Sequence, residues 1–104
     1  MAVVFTNAAE TVALKAFLNK QAGENLVLRL YSDDQTPAKT DIAGDYTEVS
    51  GNGYGSIELL PATFVFTDGD PSTAAYPQQT FGFSGAAGNI YGYYVTQKTS
   101  GALM

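Results

Sequence analysis

The 104-residue sequence contains no cysteine and no histidine. Without these residues the chain has no disulfide, no thiolate nucleophile, no imidazole base, and few of the ligands that zinc, copper or haem require. The sequence also lacks the GxSxG nucleophile motif and the GxxxxGK[ST] phosphate loop. We therefore expect a protein that is not an enzyme and that carries no cofactor.

Charged residues are scarce as well. They make up 14% of the chain, against about 25% in an average globular protein. With a net charge of −5 and the single arginine Arg29, the chain lacks the clustered basic residues that bind phosphate backbones, so we expect no nucleic-acid partner. The apolar runs are only a few residues long, whereas a spanning helix needs about 20, so we expect no membrane partner. A weakly charged surface beside seven Tyr and six Phe predicts that partner proteins cover part of the exterior.

One amphipathic helix is predicted over about residues 8–22. Asn7 is a suitable N-cap, and Glu10, three residues later, completes a capping box. Gly23 follows the polar last turn, where a left-handed residue commonly ends a helix. The period of 3.6 residues places three large apolar side chains on one face, opposite Thr11, Lys15 and Asn19: Leu14, Phe17 and Leu18.

Beyond Gly23 the apolar residues alternate with a period of two, which predicts a β-rich region over about residues 25–104. In the first strand Leu26, Leu28 and Leu30 are expected to face the core, and Leu103 is expected to begin a further strand at the end of the chain. Strands about ten residues apart with a single helix predict one domain of residues 1–104 that is mainly β. The expected architecture is an antiparallel β-sandwich (jelly-roll-like) or open barrel with one N-terminal α-helix. The strand candidates are 26–32, 45–49, 54–60, 63–67, 79–84 and 89–96.

Pairs of carboxylates are the only groups in the sequence that suggest metal binding or catalysis. Asp68 and Asp70 flank a glycine and offer two ligands to calcium, but they lack the further oxygen ligands of a full site, so a plain turn is the better interpretation. Glu48 and Glu58 on neighbouring strands have the composition of a glycosidase acid/base pair. We expect them to be solvated charges on the sheet surface.

The tyrosines are the enriched residue class that suits recognition, because an aromatic ring combines a large contact area with a polar tip. Tyrosine is also simply a good strand residue, and both interpretations stay open. Adjacent strand residues face opposite ways, so one of Tyr93 and Tyr94 must lie outside the core. The candidate interface residues are Leu14, Phe17, Leu18, Tyr91, Tyr93 and Tyr94.

Several segments of the chain, in their order, resemble a group of small virion structural proteins of tailed bacteriophages. The most specific are LVLRLYSDDQTP, the stretch from Tyr46-Thr47-Glu48 to Gly53-Tyr54, and GNIYGYYVT. The resemblance implies a capsid-associated decoration, head-fibre or knob-like protein, with a place in the tail as an open possibility. It implies a location in the virion after assembly in the host cytoplasm, homo-oligomers, and contacts with the major capsid protein or other virion proteins. The alternative is a tail or head-fibre module that binds host-surface glycans through exposed tyrosines.

Overall fold

The computed structural model describes residues 6–18, 20, 23–70, 73–86 and 88–104. In these residues one α-helix precedes five short β-strands, and all strand pairs are antiparallel. The prediction of a mainly β chain with one N-terminal helix is confirmed. The described strands form two separate sheets, with no closed barrel among them. The elements are α1 (Asn7–Phe17), β1 (Leu26–Tyr31), β2 (Ile57–Leu59), β3 (Val65–Thr67), β4 (Thr73–Ala75) and β5 (Gly92–Gln97).

Helix α1 begins one residue earlier than predicted. Thr6 is the N-cap, and its hydroxyl accepts a hydrogen bond from the Ala9 backbone N–H at 3.0 Å. The same hydroxyl donates to the Leu103 carbonyl, and this second bond explains why Thr6 rather than Asn7 takes the cap position. The helix ends at Phe17, so Gly23 does not terminate it. Of the predicted last turn, residues 19, 21 and 22 lie outside the described residues.

The main sheet has the strand order β2-β1-β5. Strand β1 lies at its centre, with Leu26 opposite both Leu59 of β2 and Gln97 of β5. Both ends of the sheet are extended by single bridges, one between Tyr31 and Glu48 and one between Thr96 and Leu103. The strands predicted over 26–32 and 89–96 are therefore confirmed with small shifts. The strand predicted over 54–60 is confirmed only for its three residues of β2.

The second sheet is a two-stranded hairpin of β3 and β4, whose register pairs Val65 with Ala75. It confirms part of the predicted strand over 63–67, whose first residue belongs instead to a 3-10 turn, Pro61–Thr63. The predicted strand over 45–49 is reduced to the bridge at Glu48, and the one over 79–84 does not form. In the latter segment Phe81 and Phe83 stack on the ring of Tyr54 rather than pairing their backbones in a ladder.

The core lies on the opposite face of β1 from the one predicted. Val27 and Tyr31 are buried, whereas Leu26, Leu28 and Leu30 are only half-buried. A tyrosine cluster explains this choice of face, because the ring of Tyr31 contacts two other tyrosine rings at 5.0 and 6.3 Å. The buried cluster comprises Tyr31, Tyr94 and Leu103, with Ala43 and Tyr46 packed against it.

Candidate protein interface

The apolar face of α1 points away from the rest of the molecule. Ala9, in the first turn, is the one buried residue of this helix. The side chain of Phe17 is 83% exposed, and those of Leu14 and Leu18 are more than half exposed. The first turn anchors the helix through the Thr6 bonds and through the Asn7 backbone N–H, which donates to the Lys39 carbonyl at 2.8 Å. The helix is therefore held at its N-terminus and presents its predicted apolar face to solvent.

The adjacent residues Tyr93 and Tyr94 lie on opposite faces of β5, as the alternation of side chains along a strand requires. Tyr94 is 8% exposed and packs in the core cluster, so its ring is not part of the exposed surface proposed for it. Tyr93 is 47% exposed, and Tyr91, two residues earlier, is similarly exposed. Of the six candidate interface residues, the structure thus brings five to the surface and places one inside.

The β3–β4 hairpin is an exposed apolar element outside the set of candidate interface residues. Phe66 is 67% exposed and Val65 is 61% exposed, although neighbouring strand residues point to opposite faces. Leu60 before the hairpin is also exposed, and the Tyr76 hydroxyl accepts its backbone N–H at 3.1 Å. A signal was present in the sequence, because three consecutive apolar residues at 64–66 cannot all face one core.

Glu48 and Glu58 are charges on the sheet surface, as expected, but each is also paired with a basic side chain. Glu48 accepts a hydrogen bond from Arg29 at 2.9 Å and another from the Tyr54 hydroxyl at 2.7 Å. Glu58 accepts bonds from Asn25 and from Lys98, and these bonds lower the pKa of its carboxyl. Both side chains are about two-thirds buried.

The two glutamates also belong to different places on the sheet. Glu48 pairs with Tyr31, and Glu58 pairs with Val27, four residues away on β1. Four strand residues span about 13 Å, whereas glycosidase carboxylates lie roughly 5–9.5 Å apart. Because each glutamate already holds its own cation, the pair does not have the arrangement of an acid/base site.

Burial, helped by neighbouring carboxylates, raises the pKa values of three tyrosines. Burial, followed by the hydrogen bond to Glu48, raises the pKa of Tyr54 to about 12. Burial raises the pKa of Tyr94 as well, with a smaller contribution from the charge of Glu48. Burial and a hydrogen bond donated to Asp41 raise the pKa of Tyr46 above its usual range. These tyrosines are therefore neutral hydrogen-bonding groups at physiological pH.

Neither a metal centre nor a membrane-spanning helix is found in the part of the chain that the structure describes. No three metal-ligating side chains come together there, and Asp68 and Asp70 are exposed. Pro71, which ends the predicted turn, lies outside the described residues. Helix α1 has 11 residues, and no described helix is long and apolar enough to cross a bilayer.

Comparison with known proteins gives no significant match, whether to a family model, to a curated protein or to a solved structure.

Proposed function

We propose that the protein is a non-enzymatic structural protein of a tailed-phage virion, a capsid-associated decoration, head-fibre or knob component. In this proposal it assembles through contacts with its own copies and with the major capsid protein or other virion proteins, in the host cytoplasm, and remains in the particle. The observation that supports assembly is the exposure of large apolar side chains on three separate elements. The phage assignment comes from the resemblance of the sequence.

The energetic argument concerns apolar surface that the isolated chain leaves in water. Burying one Leu or Phe side chain contributes about 1.5–3 kcal/mol, and Phe17 gains almost none of this in the monomer because it is 83% exposed. Few charges oppose association, since only 14% of the residues are charged. A partner that covers α1 and the β3–β4 hairpin would recover this stabilisation.

The proposal extends to the sandwich predicted from the sequence. On one face of the main sheet Leu26, Leu28 and Leu30 are half-buried, whereas Leu59 and Gln97, which pair with Leu26, are buried. An apolar layer from a neighbouring subunit packed on that face would complete a two-layer arrangement, about 10 Å between layers.

Two matched variants test the assembly role. Phe17→Asp places a charge on the apolar face of α1, and Thr11→Asp places the same charge on its polar face. We expect the wild type and Thr11→Asp to associate with rising concentration in sedimentation velocity and to be found in purified particles by mass spectrometry. Phe17→Asp should remain monomeric and be absent from particles. A wild-type protein that stays monomeric at high concentration and is missing from particles would overturn the proposal.

A second candidate function is glycan binding by the exposed rings of Tyr91 and Tyr93. The two residues are both nearly half exposed and lie two positions apart, so they point to the same side. Two rings on one side of the chain form a surface on which a sugar can stack. A glycan array probed with the wild type and with Tyr93→Ala separates this function from pure assembly, because only a glycan-binding protein gives signals that the substitution removes.

A further inference from the structure

The β3–β4 hairpin projects from the main sheet. Every residue from 60 to 70 is exposed, and so are Ala74 and Ala75 of β4. At the base of the hairpin the rings of Phe64 and Tyr76 meet edge-to-face at 4.7 Å, and among the described residues its two strands pair only with each other. A hairpin of two strands with no covered face is only marginally stable in water. A further strand would therefore stabilise it.

The outer edge of β3 has the properties of an edge that pairs with another chain. Natural edge strands are usually protected by charged residues, prolines or bulges. The sequence has no charged residue between Glu58 and Asp68, and β3, Val65–Thr67, contains neither proline nor a break in its register with β4. Its β-branched and aromatic residues favour pairing in a sheet. The N–H and C=O groups along this edge match those of another extended backbone.

The other edges formed by the described strands are less suited to such pairing. The outer edge of β5 is already extended by the bridge between Thr96 and Leu103. Strand β2 has Glu58 at its centre, and a charged residue opposes pairing at an edge. Strand β4 ends in two alanines, which offer little apolar area, and Pro77 soon after it has no N–H. The edge that remains is that of β3.

A second copy of the same strand fits this edge. Antiparallel pairing about a two-fold axis through Phe66, the central residue of β3, places Val65 of each copy opposite Thr67 of the other. Phe66 then lies beside its own counterpart, which is a favourable aromatic cross-strand pair. The acidic residue that follows β3 is Asp68. Its two copies would lie four residues apart along the strands, about 13 Å, which exceeds the screening length of about 8 Å at physiological salt.

We propose that two copies of the chain associate through β3, so that their hairpins form one four-stranded antiparallel sheet with the strand order β4-β3-β3-β4. This inference rests on the proposed assembly role and names one of its contacts. Three paired residues from each copy bury much less than the roughly 1,000 Å² of a stable specific interface. The contact alone is too weak to hold a dimer at micromolar concentrations, so Phe17→Asp should still sediment there as a monomer.

Single cysteine substitutions test this arrangement directly, because the chain has no cysteine of its own. Phe66→Cys places two thiols across the axis, where the Cα atoms of an opposed pair are about 4.5–5.5 Å apart and a disulfide can form. Ala74→Cys, opposite Phe66 in the same hairpin, is the matched control, because the two β4 strands are three strand spacings apart, about 14 Å. With about 0.5 mM protein in a glutathione redox buffer, Phe66→Cys should form the disulfide-linked dimer about ten times faster than Ala74→Cys.

Two further variants test the register. Val65→Cys and Thr67→Cys are directly opposed only when one copy carries each substitution, so their mixture should form a mixed disulfide. In either variant alone the two Cα atoms lie about 8 Å apart, beyond the reach of a disulfide. Equal rates in Phe66→Cys and Ala74→Cys, or a mixture that links no faster than its two components alone, would overturn the proposal.

A measurement on the wild type does not depend on how the variants fold. Between about 0.05 and 1 mM protein, hydrogen exchange of at least one β3 amide should slow with rising concentration, while that of the β1 amides stays unchanged. Exchange in β3 that is independent of concentration would count against the contact. If the wild type still associates and Phe17→Asp prevents this, the contact through β3 is rejected and the assembly role stands. A wild type that stays monomeric and is missing from particles rejects the assembly role itself.

Discussion

The Tyr54 side chain connects three parts of the chain that are distant in sequence. Its hydroxyl donates to Glu48 at 2.7 Å and accepts the backbone N–H of Leu30 at 3.2 Å. Its ring stacks on Phe81 and Phe83, with centroids 5.9 and 6.3 Å away. Tyr54 therefore links strand β1, the bridge at Glu48 and the segment that leads to β5.

Removing the Tyr54 hydroxyl should therefore destabilise the fold measurably. Tyr54→Phe keeps the ring stacking but leaves the Leu30 N–H without its partner and Glu48 with one bond fewer, so we expect a loss of about 2 kcal/mol in the free energy of unfolding. Urea unfolding at pH 7 measures this loss. Tyr91→Phe is the matched control, because its hydroxyl is on an exposed side chain, and it should change stability by less than about 0.5 kcal/mol.

The same variant should alter the alkaline pH dependence. The pKa of Tyr54 is raised to about 12 in the folded protein, whereas an unfolded tyrosine ionises near pH 10. A raised folded pKa means that this contribution is complete below about pH 10 and is lost as the pH rises towards 12. The loss of stability between pH 9.5 and 11.5 should be smaller in Tyr54→Phe than in the wild type. An identical loss in both proteins would contradict the assignment.

At the scale of elements, α1 is anchored to the domain through its first turn. Ala9 is 5% exposed, while the side chains from Leu14 onward lie largely in solvent. We expect Phe17→Asp to change the free energy of unfolding by less than about 0.5 kcal/mol. Ala9→Leu, which overfills a packed position in the same helix, should cost about 1–3 kcal/mol. A large loss in Phe17→Asp would show that the helix covers the core of its own domain.

The elements also show what the sequence can predict. Strands β1 and β5 were predictable because they are the longest alternating segments, and the helix was predictable from its period and its polar start. The buried face of β1 was not, since both of its faces carry apolar residues: three leucines on one side, and Val27 and Tyr31 on the other. Alternation defines two faces but does not say which one a loop will cover. Here Tyr46, on a segment distant in sequence, decides it by packing edge-on against Tyr31.

The features of the candidate interface were likewise only partly predictable from the sequence. The apolar face of α1 was predictable from its stripe of large apolar residues, but the stripe alone does not say whether the domain's own core or a partner covers it. The sequence did not show which of Tyr93 and Tyr94 lies in the core, because the two adjacent residues have the same side chain. The ion pairs of Glu48 and Glu58 were missed because their partners, Arg29 and Lys98, come from other strands. Cross-strand pairing depends on register, which the local pattern does not give.

At the scale of the whole molecule, the chain is elongated, at 44 × 28 × 26 Å. Its radius of gyration is 14.7 Å, against about 13 Å for a compact domain of 100 residues. Long-range polar contacts join the main sheet to its flanking segments. The Glu24 carboxylate accepts the backbone N–H groups of Thr99 and Ser100, and Asp33 accepts that of Thr47. Carboxylates therefore hold together segments that a small core does not.

These carboxylates predict a loss of stability in acid. Backbone bonds from Ser100 and Thr99 lower the pKa of Glu24, a backbone bond from Thr47 lowers that of Asp33, and Asn25 followed by Lys98 lowers that of Glu58. A folded pKa below the unfolded value of about 4 means that each contribution is complete above that value and disappears as the pH falls through the folded pKa. Urea midpoints measured from pH 7 to pH 2.5 should therefore stay nearly constant down to about pH 5 and then fall.

Replacing one of these carboxylates should remove its share of the acid dependence. Glu58→Gln keeps the size of the side chain and an oxygen acceptor, but it has no charge to lose, so its midpoint should fall less steeply than that of the wild type below about pH 4. Asp68→Asn, a substitution at an exposed side chain, should follow the wild-type curve. Equal slopes in Glu58→Gln and the wild type would contradict a contribution of the Glu58 charge to the acid dependence, because the variant has lost that charge at every pH.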